Sequence, residues 1–119
     1  MANDFSAVTK ANISNSSGSP TTLYQPVSNK ADVIIGFFIV NKTSSAVNVT
    51  LNVTNSFSTD DDIVLANSLP IAANSVYELT LGKMVIVDDN PNGSMAITGY
   101  ASSASAIDVY INSLRDVNS

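Results

Sequence analysis

Val47-Asn48-Val49-Thr50-Leu51-Asn52-Val53-Thr54 is the stretch that decides the fold. Every second residue is aliphatic, and each residue between is polar and uncharged. A period of two means a β-strand with one face in a core and the other in water or against a partner. Just upstream, Val33-Ile34-Ile35-Gly36-Phe37-Phe38-Ile39-Val40 is short, β-branched and aromatic, with no polar interruption. Such a run reads as a central strand covered on both faces. Gly36 within it marks a bulge or a close backbone approach. The polar Lys42-Thr43-Ser44-Ser45 is short enough to close residues 32–54 into a hairpin.

The same grammar extends outward. Thr21 to Val27 reads as a short strand that stops or lies at an edge, because Pro26 cannot donate to a ladder. Ser28-Asn29-Lys30 reads as a turn. Ile63 to Ala66, Tyr77 to Leu81, Met84 to Val87, Met95 to Tyr100 and Ile107 to Ile111 are further strand candidates. Asp88-Asp89-Asn90-Pro91-Asn92-Gly93 is a dense turn cluster between two of them. Shared alternation assigns Val47, Val49, Leu51, Val53, Tyr77, Leu79, Leu81, Ile107, Val109 and Ile111 to the core. Strands recurring about every 8–12 residues, with no helical pattern, predict an all-β fold. The expected architecture is a single antiparallel β-sandwich, immunoglobulin-like or jelly-roll-like, of seven to nine strands. Residues 21–119 form the sandwich domain. Residues 1–20 are an N-terminal arm or a first strand, since alternation there is weak.

Composition supports this reading and narrows the chemistry. The 119 residues fit one domain. Asn (14), Ser (18) and Thr (9) supply the polarity, residue types that suit strands and turns better than helix interiors. Only 13% of residues are charged, half the usual share, and the net charge is −5. The five cations, Lys10, Lys30, Lys42, Lys83 and Arg115, stand singly, so no nucleic-acid partner is expected. The longest apolar run is far short of a membrane span, so no membrane partner is expected either. The N-terminus shows no signal-peptide pattern, which predicts synthesis in a cytosol and no passage across a membrane by the usual signal.

The sequence holds no cysteine, histidine or tryptophan. That removes disulfides, thiolate metal sites, histidine triads and most general acid–base pairs. No G-x-S-x-G elbow or S-x-x-K motif is present. Asp60-Asp61-Asp62 and Asp88 to Asn92 could supply oxygen ligands, but neither follows the EF-hand pattern, and solvated Asx turns explain them. The expectation is therefore no catalytic residue, no cofactor and no metal. Tyr110 should lie opposite the Ile107–Val109–Ile111 face, and exposed tyrosine is enriched at protein interfaces. With Phe5 and Val8 as apolar anchors of the N-terminal arm, it completes the set of candidate interface residues.

Three segments carry a family resemblance. They are Val40-Asn41-Lys42-Thr43-Ser44-Ser45-Ala46-Val47-Asn48-Val49-Thr50, then Leu69-Pro70-Ile71-Ala72-Ala73-Asn74-Ser75-Val76-Tyr77-Glu78-Leu79, then Ala106-Ile107-Asp108-Val109-Tyr110-Ile111-Asn112-Ser113-Leu114. In this order the chain resembles small virion structural proteins of tailed bacteriophages, many from phages of cyanobacteria. The turn at residues 88–93 is longer than the short acidic turn such proteins often carry. The resemblance implies a non-enzymatic β-sandwich that assembles on a virion, as a capsid decoration (cement) protein or as a neck, connector or tail component. The implied partners are the major capsid protein or neck and tail proteins, with the chain itself a homo-oligomer or present in many copies on a symmetric lattice. The alternative is a non-viral carbohydrate- or cell-surface-binding β-sandwich module. Its weakness is the absence of tryptophan.

Overall fold

A computed structural model describes residues 4–79 and 83–115. These form nine strands and no helix: β1 (Asp4–Lys10), β2 (Thr21–Tyr24), β3 (Ala31–Asn41), β4 (Val47–Asn55), β5 (Ile63–Ile71), β6 (Ser75–Glu78), β7 (Met84–Asp89), β8 (Gly93–Ala101) and β9 (Ile107–Arg115). Every pairing is antiparallel.

One hydrogen-bonded path runs β1-β9-β3-β7-β8-β4-β5, with β6 also on β3 and β2 also on β8. The path doubles over at β7. Residues Met84 to Val87 pair with β3, and Asp88 and Asp89 then pair with β8. The result is two layers, β1-β9-β3-β6/β7 and β2-β8-β4-β5. Their inward faces share a single buried cluster. The smallest molecular extent is 20 Å, as expected for two sheets about 10 Å apart with their outer side chains.

The alternation read from residues 47–54 holds. Val47, Val49, Leu51 and Val53 are buried, as are Ile107, Val109 and Ile111. Leu79 packs partly buried against the cluster. Tyr77 departs from the expectation and is 39% exposed. It shares the inward side of the sheet with Ile39, but β6 is an edge strand among the described residues, with none of them beyond it to close over the ring. Leu81 lies outside the described residues.

Two other expectations are corrected. Residues 32–54 are not a hairpin, because β3 and β4 sit in different layers. Asn41 explains the difference. Its buried amide donates to the carbonyls of Ser45 (2.9 Å) and Ile71 (3.0 Å), while its oxygen accepts from Thr43 N and Oγ1. That arrangement holds residues 42–46 as an arch between layers instead of a tight turn within one. Nor is β3 covered on both faces. Asp32, Ile34, Phe37, Ile39 and Asn41 are buried, but Val33, Phe38 and Val40 on the other side are partly open and Ile35 is 48% exposed. The ladder shifts between Ile34 and Gly36, so Ile35 is the extra residue of a β-bulge.

The first residues are a strand of the domain. β1 lies along β9 from Asp4↔Arg115 to Lys10↔Val109. Beyond it, Ile13 is 1% exposed in the core, and its N–H donates to Ile107 O at 3.0 Å. Of the two expectations for residues 1–20, residues 4–10 take that of a first strand.

Candidate interaction face

The register places the outer face of the first layer residue by residue, because directly opposed residues of an antiparallel pair point to the same side. One row runs Phe5–Leu114–Val33–Val85 across β1, β9, β3 and β7. The next runs Ala7–Asn112–Gly36. A third runs Thr9–Tyr110–Phe38–Glu78, and a fourth Asp108–Val40–Val76. Most of these positions are apolar, and several are well exposed: Phe5 81%, Val76 61%, Val85 51% and Tyr110 42%. Isolated exposed hydrophobics are ordinary, but a contiguous sheet of them is the mark of an interaction surface.

Gly36 keeps this face level. A Cβ there would meet Asn112 Nδ2 at 3.1 Å and Phe38 Cε2 at 3.4 Å. Its absence lets the amide and the ring lie down over the backbone. Phe38 in turn stacks on Tyr110, with centroids 6.0 Å apart and planes 29° from parallel. A shallow depression of about 220 Å³ lies at one end, beside Tyr110, Val40 and Thr9.

The charges of these rows sit at one end. Glu78 ends one row, and Asp108 ends the next. Asp108 accepts from Asn12 N at 2.8 Å and pairs with Lys42 Nζ at 3.0 Å, and Lys42 also donates to Asn12 Oδ1. Burial would raise the Asp108 carboxyl, but the Asn12 N–H and the Lys42 ammonium outweigh it and hold the group below its usual range.

The opposite face of the sandwich differs in kind. The outward positions of β4, β8 and β2 are Asn48, Thr50, Asn52 and Thr54, then Ala96, Thr98 and Tyr100, then Thr22. That surface is richer in hydroxyls and amides than the first, with Ala96, Tyr100 and the β5 residues Val64 and Pro70 as its apolar members, and Thr50 within it is buried.

Of the three candidate interface residues, Phe5 and Tyr110 lie together on the apolar face. Val8 does not. It opposes Ile111 and packs against the core from the inner side of β1. Sequence reasoning missed Ile35, Phe38, Val76 and Val85. The unbroken apolar run 33–40 carries the signal for Ile35 and Phe38, while the exposure of Val76 and Val85 follows from how β6 and β7 lie on β3.

The titratable groups that do converge lie in the interior. Tyr24 Oη donates to Asp32 Oδ2 at 2.7 Å and lies 2.8 Å from Ser113 Oγ. One phenolic proton cannot serve both, so the serine hydroxyl donates in return. Arg115 stacks over the Tyr24 ring at 4.9 Å, with Nε 3.9 Å from Asp32 Oδ2. Burial pushes the Tyr24 hydroxyl up to about 12, the Ser113 hydroxyl opposing this and the Asp32 carboxylate reinforcing it. Asp32 and Ser113 are fully buried and Tyr24 is 1% exposed, so all three lie out of contact with solvent. The cluster ties β2 of one layer to β3 and β9 of the other.

The acidic turns are occupied in the same structural way. Asp62 Oδ1 accepts from Asn55 N, Asp88 Oδ2 from Asn29 N, and Asp89 Oδ2 from Asn92 Nδ2. Among the described residues no three acidic side chains gather as a cation site, and no helix is long and apolar enough to cross a membrane. No family model matches the chain, and no curated protein matches it.

Proposed function

We propose that this chain is a non-enzymatic structural protein of a tailed-bacteriophage particle. Its first reading is a capsid decoration (cement) protein, made in the host cytoplasm and resident on the virion. A neck, connector or tail component is the second place for it on the same particle. The observation that carries the proposal is the exposed apolar face across β1, β9, β3, β6 and β7, a surface built for protein contact. The three strand-and-turn segments quoted above supply the virion context by resemblance. In such a setting many identical copies turn modest single contacts into a stable shell.

The test is direct. The genes flanking the coding sequence should encode capsid, portal or tail proteins, and an electron cryomicroscopy map of the particle should show the sandwich at a symmetric position. A neighbourhood without virion genes, or purified particles that lack the protein, would refute the proposal.

A further inference from the structure

We infer that the apolar face of the first layer is covered by a second copy of the same chain, in a two-fold dimer packed sheet on sheet. The inference concerns the face itself and holds whether or not the dimer belongs to a virion.

Area is the first argument. Four strands abreast at about 4.8 Å, and the nine residues of β9 at about 3.3 Å each, give a face of roughly 19 by 30 Å in plan, about 570 Å². Side-chain relief from Phe5, Ile35, Val76 and Val85 raises the accessible surface toward the roughly 800 Å² per partner of a standard stable interface.

Shape is the second. A partner seated on a twisted sheet must match its twist, and sheets that pack face to face do so with strands within about 30° of each other. An identical sheet turned over about an in-plane two-fold axis has the same hand and the same degree of twist. The levelling of the face by Gly36, Asn112 and Phe38 leaves a surface suited to such stacking. Packing of this kind is already the way the two layers of the monomer meet.

Charge is the third. At −5 per chain, two copies repel unless the charges lie away from the contact. They do so here. The acidic loop at residues 60–62 joins β4 to β5 in the other layer, Asp88 and Asp89 lie at the β7–β8 turn, and Asp108 is engaged by Lys42. The middle of the face holds hydrocarbon, one amide and one phenol.

Sedimentation equilibrium on the intact chain tests this. The expected species at about 50 µM has twice the 12.4 kDa chain mass, since interfaces of this size span micromolar to picomolar affinity. Val85→Lys combined with Tyr110→Lys should halve that mass and leave the far-ultraviolet circular dichroism unchanged, as both side chains are exposed in the monomer. Val76→Lys, at the far edge of the same face, provides an independent variant with the same expected direction. Asn48→Lys, on the outer face of the other layer, should leave the dimer intact. A single-chain mass up to about 100 µM overturns the inference. So does a dimer that survives the lysine substitutions on the apolar face but not Asn48→Lys, or an assembly of three or more chains. The virion proposal fails separately, through gene neighbourhood and particle composition, whatever the mass in solution.

Discussion

Replacing Tyr24 with Phe removes one oxygen from the point where the two layers are tied. The ring stays, so the volume it fills and its contact with Arg115 are kept. The loss is the donor to Asp32 Oδ2 at 2.7 Å and the acceptor for Ser113 Oγ at 2.8 Å. Asp32 and Ser113 are both 0% exposed, so water cannot replace what is removed. A hydrogen bond to a buried carboxylate contributes about 1.5–3 kcal/mol, and the stranded serine hydroxyl adds about 1 kcal/mol. Tyr24→Phe should therefore cost about 2.5–4 kcal/mol in a urea melt at pH 7, read as a lower midpoint at unchanged slope. The same residue sets an alkaline signature. With its hydroxyl raised from 10.0 to about 12, the folded chain holds the proton more tightly than the unfolded chain. Below pH 10 both states are protonated and stability is unaffected. Between about pH 10 and 12 the unfolded chain ionises first, and stability falls by about 1.4 kcal/mol per unit, nearly 3 kcal/mol in all. Tyr24→Phe lacks that fall, so the gap between the two proteins should narrow across the window. A cost under about 1 kcal/mol at pH 7, or stability curves that stay parallel from pH 9 to 12, would refute this account of the cluster.

Three further outcomes are expected. Ile13→Ala should cost about 2–5 kcal/mol in chemical denaturation, since the side chain is 1% exposed within the core, and a loss under 1 kcal/mol would return residues 11–20 to the status of an appendage. Gly93→Ala should lower stability by about 1–3 kcal/mol, measured by thermal melting, because the new Cβ would lie 2.7 Å from Phe57 N and 2.8 Å from its Cα, backbone atoms that cannot rotate away. EDTA should leave the melting temperature unchanged, because Asp62, Asp88 and Asp89 already accept hydrogen bonds from Asn55 N, Asn29 N and Asn92 Nδ2; a fall reversed by calcium would show a cation site there.

The β class of this protein is written in the local pattern. Residues 47–53 and 107–111 alternate strictly, and each step of a strand reverses the side chain, so the buried set follows from parity alone. An irregularity or close approach at Gly36 and a turn at residues 28–30 were legible from single residues: Gly36 lies beside the bulged Ile35 and under Asn112 and Phe38, and Asn29 takes a φ of 60°. The outward aim of Tyr110 also needed no more than parity. The first strand was less clear. Phe5 and Ala7 lie on its outer side and Val8 on its inner, so an edge strand apolar on both faces shows little alternation.

Which strands are neighbours lay beyond that pattern. A polar four-residue link after Asn41 is compatible with a hairpin or with an arch, and the choice rests on a buried amide whose partners include Ile71, 30 residues away in sequence. Tyr77 has the alternation of a core residue, yet its exposure depends on β6 lying at the edge of the described strands. The apolar face follows the same logic. A strand such as residues 33–40, hydrocarbon on both sides, announces that each side must meet something apolar. The sequence by itself determined that demand. Only the tertiary structure decided that one side is met by the opposite layer and that the other is left open, because coverage is a property of pairs of elements distant along the chain, and local patterning carries no record of them.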